Sequence, residues 1–74
     1  MNVGMLWLDN DTKRPFEEKV QRAIDYYQQK YGCLPEICHV NPQMLGKSKK
    51  IGEINVEPLQ TVLPHHFWLG LKNA

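Results

Sequence analysis

Only one stretch of this chain has the pattern of a helix of several turns, and that limits what the fold can be. Apolar residues recur at Phe16, Val20, Ala23, Ile24, Tyr27 and Tyr31, the i, i+4, i+7, i+8, i+11 spacing of a single helical stripe. Lys19, Gln21, Arg22, Asp25, Gln28 and Gln29 fall on the opposite face. Pro15 suits the first turn, where its missing N–H has no intrahelical partner. Glu17 and Glu18 set negative charge against the positive end of the helix dipole, and Glu18 precedes Arg22 at the i, i+4 spacing of a helical ion pair. Gly32 is a natural left-handed stop, and Pro35 forbids resumption. A helix of roughly 17 residues spans about 25 Å, enough to cross one face of a small sheet. The other face must then be closed by the C-terminal loops or by another subunit, with Trp68, and Trp7 as a second candidate, lying on it.

The remaining elements read as strands. Val3-Gly4-Met5-Leu6-Trp7-Leu8 carries no charge and reads as a central strand buried on both faces. Glu36-Ile37-Cys38-His39-Val40 is the second strand. With the helix between them, the two are expected to be parallel neighbours in a right-handed βαβ unit. Asn41-Pro42 ends that strand, Pro42 to Leu45 fits one helical turn, and Gly46 to Lys50 reads as a polar, basic loop. Ile51 to Glu57 reads as one strand with Ile54 and Val56 on one face and Gly52 marking a bulge. Leu59 to Leu63 is a short extended piece fenced by Pro58 and Pro64. The last strand runs from His66 to Leu71, with Phe67, Leu69 and Leu71 on one face against His66, Trp68 and Gly70. Lys72-Asn73-Ala74 reads as a loose end. The expected class is α/β, a small α+β-like sandwich in β-α-β-β-β order. One long helix packs on one face of a three- to four-stranded mixed sheet.

Seventy-four residues with 42% hydrophobic and 23% charged side chains describe a single small globular domain, 1–74. The net charge of +1 supplies no global attraction for nucleic acid or an anionic membrane, so any charged partner must be read by a local patch. Two cysteines, Cys33 and Cys38, are too few for a disulfide scaffold and read as reduced thiols. The first apolar run is short, lacks a basic start and ends at Asp9, unlike a secretory leader. Nothing approaches the length of a membrane span. A cytoplasmic location without membrane contact is expected.

Four sets of residues invite a chemical reading. The apolar run followed by Asp9-Asn10-Asp11-Thr12 resembles the opening of the haloacid-dehalogenase-type phosphatase signature. That resemblance implies a nucleophilic Asp and an acid/base Asp with magnesium between them, at the end of a central strand. It covers fewer than ten residues, and Lys13 stands where the family has Thr or Val; the plainer reading is a turn built by Asp9 and Asp11 ahead of the helix. Gly46-Lys47-Ser48 lacks the earlier glycine and the following helix of a phosphate loop. Cys33, Cys38, His39, His65 and His66 have no zinc-knuckle spacing, and neighbours on a strand point to opposite faces. No metal or other cofactor is therefore expected.

The fourth set is Lys47, Lys49 and Lys50. A soluble hairpin tip is their plain reading. The functional one is contact with a nucleic-acid backbone, with His65, His66 and Trp68 as stacking or polar groups. The Lys30-Tyr31-Gly32 helix end and Val40-Asn41-Pro42 are similar to small prokaryotic proteins, a likeness that implies no activity. The expected function is a noncatalytic binding or interaction module, acting through another protein or through self-association. A nucleic-acid accessory role is the alternative, and a metal-dependent enzyme or zinc protein the remote one.

Overall fold

The computed structural model describes residues 4–71; Val3 and Lys72 to Ala74 lie outside the described residues. The elements are β1 (Gly4–Leu8), α1 (Phe16–Tyr31), β2 (Ile37–Val40), β3 (Lys49–Ile51), β4 (Ile54–Pro58) and β5 (His66–Gly70). They form one mixed sheet in the order β1-β5-β2-β4-β3 with α1 on one side. The α+β class expected from the sequence is the one found, with five strands rather than three or four.

The helix follows its stripe. Val20, Ala23, Ile24 and Tyr27 are buried against Met5, Cys38, Val40, Ile54, Val56, Phe67 and Leu69. Pro15 is the N-cap residue in an extended conformation, and Gly32 ends the helix at φ 78, its N–H donating to the Gln28 carbonyl at 2.8 Å. Lys19, expected on the solvent face, is instead buried, as a lysine stem can be while its ammonium reaches outward. Glu18 lies 3.8 Å from Arg14, so its ion pair forms with the arginine four residues earlier rather than with Arg22.

The order of the strands departs from expectation. β1 and β2 run the same way, but β5 lies between them and pairs antiparallel with both. β1 is therefore an edge strand, not a central one. Its apolar run is explained by two different environments: Met5 is buried under the helix, while Leu6 is 63% and Leu8 57% exposed. Trp7 turns to the helix side, its ring 4.8 Å from that of Tyr26, so only Trp68 takes the position expected for both tryptophans.

The piece read as one strand from Ile51 to Glu57 is a hairpin. Lys49 and Lys50 belong to β3, and Gly52 occupies the turn at φ 61, a left-handed conformation that glycine adopts without a Cβ clash. Leu59 to Leu63 is a looping segment rather than an extended piece. It is tied down where the Asn41 side chain donates to the Val62 carbonyl at 2.8 Å. The chain enters β5 through a turn in which the His66 N–H donates to the Leu63 carbonyl at 3.1 Å, with His65 at φ 66.

Candidate functional site

Strand alternation sends Gly4, Leu6 and Leu8 of β1, His66 and Trp68 of β5, Ile37 and His39 of β2, and Asn55 and Glu57 of β4 to the face opposite α1. No helix among the described residues covers this face. The 59–65 loop folds over part of it and leaves a cavity of about 440 Å³ lined by Leu6, His39, Leu59, Thr61, Val62, Leu63, His66 and Trp68. That volume falls in the usual range of ligand-sized clefts.

Trp68 forms one wall. Its ring lies directly across Gly4, where any Cβ would overlap it; glycine at this register lets the indole lie flat on the neighbouring strand. The His39 ring stands 5.8 Å from it. His39 Nδ1 is buried without a hydrogen-bond partner among the described residues, an arrangement that favours a group able to bond with it. His66 is held in place by the contact between its Nδ1 and the Pro64 carbonyl at 2.9 Å. The cavity opens among exposed leucines: Leu63 is 65% and Leu59 41% exposed, and Leu6 and Leu8 continue the apolar surface to the sheet edge. Glu57, Asn55 and Lys50 carry on the same face as a polar margin toward the far edge.

The residues singled out in the sequence are divided by this arrangement. His66 and Trp68 meet in the cavity, whereas His65 is exposed in the turn above it, its N–H directed to the Met44 sulfur at 3.1 Å. The three lysines do not form one patch with Trp68. Lys49 pairs in register with Val56 on the helix side, where its Nζ contacts Glu17 Oε2 at 2.9 Å. That contact holds the Glu17 carboxyl below its ordinary pKa. Lys50 faces the open side, but β4 and β2 separate it from β5, three strand spacings or roughly 14 Å. Lys47 is exposed in the preceding loop.

Asp9 and Asp11 build the turn. Asp9 Oδ1 accepts the Asp11 N–H at 3.1 Å and Asp11 Oδ1 accepts the Lys13 N–H at 2.9 Å. Arg14 sits between Asp9 and Asp11, at 3.7 and 3.4 Å. Cys38 and His39 point to opposite faces, Cys33 is exposed, and both thiols are free. Burial pushes the Cys38 thiol up to about 12, which keeps it protonated and unreactive at neutral pH. Among the described residues no three His, Cys, Asp or Glu side chains gather as a metal site requires.

Leu6, Leu59, Thr61, Val62 and Leu63 were missed as site residues, and His39 was weighed only as a metal ligand. The available signal was the apolar content of the segment between Pro58 and Pro64, which offers three large side chains but no strand or helix period. Comparison of the chain with protein-family models, curated proteins and solved structures gives no match. No helix among the described residues is long and apolar enough to cross a membrane.

Proposed function

We propose that this protein is a noncatalytic interaction module whose open sheet face receives a bulky apolar side chain from a partner polypeptide. The observation that carries the reading is the cavity between Trp68 and the 59–65 loop, opening onto the exposed Leu6, Leu59 and Leu63. An indole in an apolar centre beside a polar margin has the anatomy of a protein interface with a central anchor pocket. The apolar surface continues past the cavity to Leu8 at the sheet edge, farther than one small ligand would cover. His39 adds an unpartnered ring nitrogen that a main-chain or side-chain hydrogen-bonding group on the partner would satisfy. Two free thiols, one of them exposed, suit a reducing compartment, and a cytoplasmic location is part of the proposal.

The experiment is selection of random displayed peptides on the protein, with the Leu63→Asp variant as counter-selected control. The expected peptides share one large apolar anchor and bind the parent at least about tenfold more tightly than the variant, a difference of about 1.4 kcal/mol. Absence of enrichment, or equal binding to both proteins, would contradict the reading.

A further inference from the structure

The two edges of the sheet differ in a way that points to a specific partner. β3 is three residues long and carries Lys49 and Lys50, the short, charged form by which edges avoid pairing. β1 is five residues, Gly-Met-Leu-Trp-Leu, with neither charge nor proline, and no described strand lies beyond it.

The direction of its backbone groups follows from the ladder. The Asp9 N–H donates to the His65 carbonyl at 3.0 Å, in continuation of the β1–β5 register. Hydrogen-bonded pairs alternate along antiparallel strands, so the N–H and C=O groups of Met5 and Trp7 turn toward β5, and those of Gly4, Leu6 and Leu8 turn outward. A contact from the helix agrees: the Tyr31 hydroxyl donates to the Gly4 carbonyl at 3.2 Å. Leu6 and Leu8 thus present two N–H and two C=O groups at an open edge.

We infer that a second copy of this chain pairs with β1, antiparallel, about a two-fold axis at Trp7. In that register Leu6 faces Leu8 of the second copy and Leu8 faces its Leu6, giving four main-chain hydrogen bonds. The Gly4 carbonyl stays with Tyr31, whereas an axis at Leu6 would call on it. The pairing is self-complementary, as a two-fold contact must be. It places four leucines side by side on the open face, where Leu6 and Leu8 are now exposed. On the helix side the groove beside the edge is lined by Trp7, Tyr26, Arg22 and Asp25. Its flank therefore carries one cation and one anion, and like-charge repulsion does not bar the second copy. Pairing of β1 with β3 would extend into an open chain of molecules, and the lysines of β3 oppose it. The pairing rests on the backbone of β1 and not on what fills the cavity, although Leu6 belongs to both; Leu8→Pro, which changes no residue lining the cavity, tells the two readings apart.

Sedimentation velocity at tens to hundreds of micromolar tests it on the parent, on Leu8→Pro, and on Leu6→Lys/Leu8→Lys. Proline at position 8 removes an outward N–H and no bond of the β1–β5 ladder, a placement edge strands tolerate. The expected result is twice the chain mass for the parent and a single chain for both variants. A monomeric parent, or a dimer that survives Leu8→Pro, would overturn the inference. If that variant fails to fold, amide exchange in the parent decides. Protection of the Leu6 and Leu8 amides that rises with concentration supports the pairing, and fast exchange at every concentration refutes it.

Discussion

On the helix side of the sheet Cys38, Val40, Val56, Phe67 and Leu69 are fully buried, while on the other side His39, Glu57, His66 and Trp68, next to them in sequence, keep contact with solvent. The same strands build both faces, and one residue of phase separates a side chain that holds the fold from one free to meet something else. Apolar residues are nonetheless present on both. The covered face uses them against α1 in a continuous core. The open face gathers them around a cavity and leaves Leu6, Leu8, Leu59 and Leu63 exposed. Exposure on that scale in a small protein is what the proposed contact surface rests on; under that proposal stability and recognition are separated by face rather than by region.

Truncating one large apolar side chain on each face should separate the two faces most widely. Phe67→Ala, at a fully buried position 6.0 Å from the Phe16 ring, is expected to cost about 3–5 kcal/mol. That leaves a domain of this size largely unfolded, as urea titration would show. Leu63→Ser should stay within about 0.5 kcal/mol. Comparable losses would remove the distinction.

A second difference appears in alkaline solution. The Cys38 thiol ionises near its ordinary value of 9.0 when unfolded and at about 12 when buried. Its pKa is raised by folding, so its contribution is fully present below pH 9 and is lost between 9 and 12, as the unfolded chain ionises first. Stability should fall there by on the order of 1 kcal/mol per pH unit, and the fall should be shallower in Cys38→Ala. Burial raises the Tyr27 hydroxyl in the same direction, so it contributes to the slope that remains.

How much of this was legible in the sequence depends on what each pattern reports. Helical spacing reports a face, so α1 and its stop at Gly32 were readable, as was the alternation of Phe67 and Leu69 against His66 and Trp68. The uncharged run of β1 was misread as central because composition records what touches the two faces of a strand and not what lies beside it. Insertion of β5 between β1 and β2 is a long-range pairing with no local mark. Gly52 signalled a break, but a bulge and a two-residue turn both use such a glycine. Leu59, Thr61, Val62 and Leu63 escaped because the 59–65 loop has no period; its place over Trp68 is set by Asn41 holding the Val62 carbonyl from 21 residues away.

Smaller effects are expected at Gly4 and Glu17. Gly4→Ala places a methyl group into the Trp68 ring, so it should cost about 1–3 kcal/mol and shift the indole fluorescence. In a Trp68→Leu background most of that cost should vanish, as a double-mutant cycle would report. The smallest effect is expected at the rim of the covered face. Glu17 has its pKa lowered, first by the hydrogen bond from Lys49 and then by that charge. Its contribution is present above the usual carboxylate range and lost as pH falls through the lowered value. Because the pair is exposed to solvent, Glu17→Gln should leave the neutral-pH melting temperature unchanged within error.

Whether the open face receives an apolar group, as proposed, is decided by titrating indole into isotope-labelled protein and following its amide resonances. Indole is the simplest probe of an apolar anchor pocket, and its affinity is expected in the millimolar range, about −4 kcal/mol. The account predicts saturable shifts at Leu6, His39, Thr61, Val62 and Trp68, with Val20, Ala23 and Tyr27 unmoved. Saturable shifts confined to the helix or to Lys47, Lys49 and Lys50, or no saturable shift at all, would contradict it.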